Sequence, residues 1–443
     1  MTGPAAAPRT VDVVVIGGGH SGLAMSQALA QRSVDHVVLE RGEVGNAWRH
    51  ERWDSLRLLT PNWMCRLPDQ PYDGKDPDGF MSAADVAAFI ERYAARTSAP
   101  VCARTTVQRV EAAAAGYRVA TDRGDWLCRT VVLASGACSQ PALPALAQQV
   151  PAAVAQWTTQ RYRRPADLEP GAVLVVGASA TGLQLAQEIR RSGRPVLLAS
   201  GEHVRLPRLY RGRDVQWWLL ASGVLDQRIE AMDDPGRARR LPSPQLIGSD
   251  DQATLDLNSV QREGVEVCGR LAGVRGTQAL FSGSLHNVCA LADLKLNRLL
   301  DGFDAWASAH GLDGEVDAPQ RFESTGIAAR PRLSAELGRD VRSIVWATGY
   351  RPDFSWLTVP GVFDRHGALR HDRGIVADAP GLYVLGLPLL RRRKSSFIHG
   401  AEDDVTEIAA HLRDYLDGEA SARSARQPAP SSSPRLHGAG ALC

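Results

Sequence analysis

The run Val11-Asp12-Val13-Val14-Val15-Ile16 is apolar and β-branched at all but one position, which predicts a strand covered on both faces of a parallel sheet. Glycines follow at 17, 18, 19 and 22, then a helix-forming stretch over 23–31. A second apolar run, Val37-Val38-Leu39, ends in Glu40. The same order returns downstream. Ala172-Val173-Leu174-Val175-Val176 leads into Gly177-Ala178-Ser179-Ala180-Thr181-Gly182, a helical stretch over 183–191 and a strand over 195–199. The segments 129–136 and 341–349 read as strands ending in the small turns Ala134-Ser135-Gly136 and Ala347-Thr348-Gly349. Apolar residues at 291, 294, 299, 303 and 306 predict an amphipathic, core-packing helix over 291–306. A short buried strand over 381–386 and a closing helix over 402–416 complete the pattern.

Composition narrows the class. A chain of 443 residues has room for several domains, and 44% hydrophobic with 23% charged residues is ordinary globular content. Lys plus Arg number 51 against 49 Asp plus Glu, a net charge of +2, so no general pull toward nucleic acid or an anionic membrane is expected. The seven cysteines include no CxxC pair, which argues against a disulfide framework and a cysteine-built metal site. With no signal-like apolar core at the start and no membrane-length apolar run, a reducing cytoplasm is the expected compartment. Residues 1–9 and the Pro/Ser/Ala-rich tail 418–443, which ends in Cys443, are expected to be disordered.

The two glycine turns carry the chemistry. In Gly17-x-Gly19-x-x-Gly22 the first glycine permits a tight turn, the second lets backbone approach a pyrophosphate, and the third lets helix pack on strand. The helix N-terminus, opened by His20 and Ser21, then faces the phosphate charge. Glu40, 18 residues past Gly22, is placed to accept hydrogen bonds from an adenosine ribose, with Arg41 beside it. The plainer alternative is a structural glycine turn. In the second turn Ser179 replaces the middle glycine, and Ala180 and Thr181 precede Gly182. Arginines crowd at 205, 208, 211 and 213 after its second strand, which reads as a 2′-phosphate pocket and favours NADPH, or else as a solvated basic loop.

At these residues the chain resembles the class B flavin-dependent monooxygenases, the flavin-containing monooxygenase and YUCCA-like group. The matching pieces are both glycine turns, Trp48-Arg49, Arg52-Trp53-Asp54-Ser55-Leu56-Arg57-Leu58-Leu59-Thr60-Pro61, Ala347-Thr348-Gly349-Tyr350-Arg351-Pro352-Asp353 and 381–386. The resemblance implies an α/β fold of two Rossmann-like dinucleotide-binding domains. An NADPH domain over 165–330 would be inserted into an FAD domain split between 10–164 and 331–417. It further implies that Trp48, Arg49, Arg57, Leu59, Thr60 and the two small turns contact cofactor. Asn62 would lie beside the isoalloxazine ring, its amide bonded to a flavin C4a-(hydro)peroxide, or would instead cap a loop. The basic run 391–394, with Ser396, would pass the flavin or be solvated. His399 is read as structural or catalytic, and Trp217 and Trp218 as helix packing or a substrate entrance.

One element departs from the family. Its linker motif places Phe, Gly and His ahead of a tyrosine, whereas this chain has Ala152, Val154 and Thr158 before Tyr162. That argues against lactone-forming chemistry. The expected activity is NADPH-dependent transfer of one oxygen atom from O₂ to nitrogen, sulfur or carbon of a small substrate. A dehydrogenase, oxidase or reductase without oxygen transfer is the alternative, and a non-catalytic nucleotide-binding regulator a third. No nucleic-acid or membrane partner is expected, and a homodimer is left open.

Overall fold

The computed structural model describes residues 7–426. Residues 1–6 and 427–443, with Cys443, lie outside the described residues, as does the corresponding part of the expected disordered ends.

Two sheets organise the chain. In the first, the order is Val101–Cys102, His36–Leu39, Arg9–Ile16, Trp126–Leu133, Gly116–Thr121, Val107–Ala113, and Leu382–Val384 also pairs with Trp126–Leu133. Arg9–Ile16 is parallel to both neighbours, with Ile16 opposite Leu39 and Leu133. Val13, Val14 and Val15 are fully buried, as a β-branched strand covered on both faces must be. The second sheet is parallel throughout, in the order Ala155–Thr158, Ser343–Trp346, Val173–Val176, Val196–Ser200, Glu266–Gly269. Helices His20–Gln31 and Ala180–Arg191 follow the central strands of their sheets.

The second sheet takes strands from both sides of the expected 165–330 insertion. Ala155–Thr158 and Ser343–Trp346 pair with each other, so the strand before Ala347-Thr348-Gly349 serves the second sheet, not the first. The closing helix runs Ala401–Arg426, past the expected boundary at 417.

The amphipathic helix is longer than its pattern suggested, Leu285–Ala309, and turned differently. Leu285, Cys289, Ala292, Leu296, Leu300, Phe303 and Ala307 form its buried face, while Leu291 and Leu294 are exposed. The buried set includes alanine and cysteine at a tight helix contact, where small residues pack but score as weakly apolar in a pattern. Among the described residues no helix is long and apolar enough to cross a membrane.

Candidate dinucleotide sites

The first glycine turn is held by contacts that admit no side chain. Gly17 has φ +114°, a left-handed conformation, and a Cβ there would lie 2.4 Å from the Ala134 carbonyl oxygen. A Cβ on Gly22 would lie 2.0 Å from the Gly17 oxygen, whereas one on Gly19 would meet nothing within 4 Å. The turn is therefore closed on its protein side and open over the helix N-terminus. Glu40 is buried beside it, its carboxylate accepting from the Gly18 and Gly42 N–H groups at 2.8 Å each. A carboxylate has about four lone-pair directions, so acceptor capacity remains for ribose hydroxyls. Nε2 of His20 and Oγ of Ser135 are buried without a protein partner at the same turn. An open cradle with an acid and two orphaned polar atoms fits a dinucleotide.

The second turn repeats the first atom for atom in its packing. Gly177 has φ +109°, and a Cβ there would lie 2.3 Å from the Ala347 oxygen; one on Gly182 would lie 1.8 Å from the Gly177 oxygen. Ala347-Thr348-Gly349 thus does for the second turn what Ala134-Ser135-Gly136 does for the first. Ser179 is the helix N-cap but makes no side-chain cap bond; it and Thr181 are half-buried, and Ala180 between them is buried. Strand register makes the units superimposable in sequence. Ile16 pairs Leu39 and Leu133, and Val176 pairs Ala199 and Trp346. Ser200, the residue that follows Ala199, therefore occupies the place of Glu40.

The arginine cluster is not the expected phosphate pocket. Arg205 is buried and bonded to Asp256 at 2.8 and 3.1 Å and to Asp293 at 2.8 Å. Arg208 is fully buried, paired with Asp214, donating to the Leu59 carbonyl at 2.8 Å and lying over the Phe80 ring. Arg211 is buried between Asp304 and Asp313. Arg208 is neutralised from six residues away, but the carboxylates on Arg205 and Arg211 come from about fifty to a hundred residues away in the chain, which no local spacing could announce. Only Arg213 of the cluster stays exposed and without an ion pair among the described residues.

The residues taken from the resemblance divide similarly. Trp48 packs against both cores beneath the Arg52 guanidinium. Arg41 pairs with Glu51, and Arg49 with Glu91. Arg57 donates to the Phe80 carbonyl at 3.0 Å, and Thr60 Oγ1 lies 3.7 Å from Cys65 Sγ. Asn62 is a loop clamp: Nδ2 donates to the Asp76 carbonyl and Oδ1 accepts from the Met81 N–H, both at 2.8 Å. The basic run 391–394 is neither solvated nor free. Arg391 and Arg392 share Glu407 with Arg228, Lys394 pairs with Asp226 and Asp403, and Ser395, not Ser396, caps the turn. This pins the insertion to the closing helix. Trp218 is fully buried and packs on Phe303, while Trp217 lines a surface cleft.

Burial lowers the pKa of His20, His371 and His399 to about 4 each, so all three are neutral in the fold at neutral pH. The unfolded chain then binds more protons below pH 6.5, and the histidine contribution to stability is lost as pH falls from 6.5 toward 4. Asp404, whose buried carboxyl is raised to about 6, acts oppositely: its ionisation destabilises the fold above pH 6, and acidification relieves this. Burial also lowers His36 and His203 and raises Glu188, so five histidines act against two carboxyls; the urea midpoint is expected to fall between pH 6.5 and 4, and to fall less steeply in His399→Gln.

Residues 14–222, which contain both glycine turns, match the family described as pyridine nucleotide-disulphide oxidoreductase. A CzcO-like uncharacterised oxidoreductase of Geobacillus kaustophilus is 29% identical over 397 residues, 89% of this chain and 96% of that protein. Indole-3-pyruvate monooxygenase YUCCA1 of rice is 32% identical over 200 residues, 44% of this chain and 49% of the rice protein. A flavin-containing monooxygenase from Stenotrophomonas maltophilia has the same fold, with a TM-score of 0.64 and 20% identity, covering 92% of this chain and 99% of its own. Over these spans the chain is similar to flavin-dependent monooxygenases in sequence and in fold. It is a flavin-dependent oxidoreductase. The dithiol chemistry in the first description finds no pair here. The six cysteines among the described residues are all free, and burial pushes the thiols of Cys65, Cys128, Cys268 and Cys289 up to about 11 or 12.

Proposed function

We propose that this protein is an FAD-containing, NADPH-dependent monooxygenase acting on a small organic substrate. The observation that carries the reading is the pair of matched turns with different residues at the following strand tip, Glu40 in the first and Ser200 in the second. An acid at the strand tip accepts from an unphosphorylated ribose and repels a 2′-phosphate, whereas serine removes that repulsion. FAD therefore belongs to the first turn and NADPH to the second, without help from Arg205 or Arg208.

The turn 17–22 with Glu40 would hold FAD, which would supply the relay of two electrons from NADPH to O₂, so that with one proton one oxygen atom goes to the substrate and the other to water. The chain's own contribution is positional. The two helix N-termini would face the phosphates and Glu40 would orient the adenosine ribose, while the Ala134 and Ala347 carbonyls back the two glycine turns on their protein side. His20, neutral by burial, can exchange a hydrogen bond with the cofactor without adding charge.

The test is substrate-dependent NADPH consumption under labelled O₂, with one labelled atom expected in the product. Label found only in water or hydrogen peroxide, over a broad set of amines and sulfides, would reject oxygen transfer. It would support the oxidase or dehydrogenase alternative. That alternative is favoured by Asn62, whose two polar atoms are both held by main-chain groups.

A further inference from the structure

A cleft of about 250 Å³ opens between the loop after Asn62 and the insertion, lined by Trp63, Asp78, Leu209, Arg213, Trp217 and Gln252 among others. A second hollow of about 170 Å³ adjoins it, sharing Asp78 and Gln252. Two features set this cleft apart. Of the three charged side chains that line it, Asp214 is held by Arg208, whereas Arg213 and Asp78 are exposed and neither has an ion-pair partner among the described residues. The Arg213 guanidinium lies 5.5 Å from the Trp217 ring centroid, held on an aromatic face instead of a carboxylate.

Both walls are pre-set by the buried network. The Asp78 loop is fixed from below by Asn62: the Asn62 N–H donates to the Gly79 carbonyl at 2.9 Å, Trp63 N–H to the Pro77 carbonyl at 2.8 Å, and the Asn62 amide to the Asp76 carbonyl. Asp76 returns a carboxylate to the Gly79 N–H at 3.0 Å. Opposite, Arg213 sits on the short hairpin Leu209–Tyr210 and Arg213–Asp214, anchored by the buried Arg208–Asp214 and Arg211–Asp304 pairs. The arginines that seemed to bind phosphate instead build the platform for the one that is free. Unpaired opposite charges on two braced walls, with indole surface between them, suit a ligand bearing both charges and an apolar body.

We propose that this cleft binds small zwitterions of the α-amino-acid type, the ammonium at Asp78, the carboxylate at Arg213 and the side chain against Trp63 and Trp217. As a substrate class this rests on the oxygenase reading, but the binding claim does not. A thioether side chain would suit both the indole faces and an oxygen acceptor.

The test uses the flavin-loaded protein and three matched probes: L-methionine, 3-(methylthio)propylamine, which lacks the carboxylate, and 4-(methylthio)butanoate, which lacks the amine. Calorimetry is expected to show methionine binding about tenfold or more tighter than either singly charged probe. Arg213→Gln should bring methionine down to the amine's affinity, and Asp78→Asn down to the acid's. Equal affinities, no methionine binding, or a preference unchanged in both variants would overturn the proposal. Methionine that binds by these rules without drawing NADPH or labelled oxygen leaves the site standing and removes its role as the place of the oxygenase's substrate. Turnover driven equally well by the amine does the reverse.

Discussion

Gly22→Ala is expected to yield protein that purifies without flavin and unfolds earlier than the wild type. The added methyl would sit 2.0 Å from the Gly17 carbonyl oxygen, a main-chain atom, and 3.4 Å from the Ala134 Cβ. Neither neighbour can rotate away, so the helix must lift off the strand. Overpacking of this kind costs about 1–3 kcal/mol, and a backbone contact this short belongs at the upper end. Gly19→Ala separates the two effects. Its methyl meets nothing within 4 Å in the protein, so the unfolding midpoint should hold. It would project into the open side of the turn, where a pyrophosphate needs close backbone approach, and FAD affinity should fall roughly tenfold or more. Thermal unfolding and flavin absorbance of the two variants check this. Full flavin occupancy in Gly22→Ala would show that the first turn is not the flavin site.

Arg205→Ala is expected to destabilise the fold by about 3–5 kcal/mol, because it strands carboxylates that the guanidinium neutralises inside the protein. Asp256 and Asp293 are both largely buried, and Asp256 also caps the helix Leu257–Arg262. A phosphate anchor would behave differently. Its loss would weaken binding of 2′,5′-ADP while leaving stability within about 0.5 kcal/mol, as a surface substitution does. Urea unfolding beside calorimetry with 2′,5′-ADP distinguishes the outcomes. An unchanged urea midpoint with weakened nucleotide binding would restore the phosphate pocket.

The contrast between these residues shows what a single sequence can carry. The glycine turns were legible because their constraints are local: a left-handed φ, a close carbonyl and a helix start all fall within six residues. Glu40 was legible because it ends the strand that follows, and burial on both faces makes that strand a continuous apolar run. Ser200 follows Ala199 in the second unit as Glu40 follows Leu39, and the register sets it in the equivalent place.

The charged residues were the least legible. An arginine's meaning depends on whether a carboxylate reaches it, and Asp256, Asp293 and Asp304 arrive from distant elements. The same holds for 391–394, where Glu407, Asp226 and Asp403 turn a basic run into a strut between the insertion and the closing helix. Even the cleft's free pair, Arg213 and Asp78, is defined by what their neighbours already hold.

By itself, then, the sequence determined the two nucleotide-binding units, because backbone geometry and apolar periodicity are short-range properties written in consecutive residues. Only the tertiary structure decided which strands completed the second sheet and which cations were left unpaired. Pairing partners across a sheet and across a buried ion pair are chosen by three-dimensional proximity, and burial makes an unpaired charge too costly to leave where the sequence alone would have placed it.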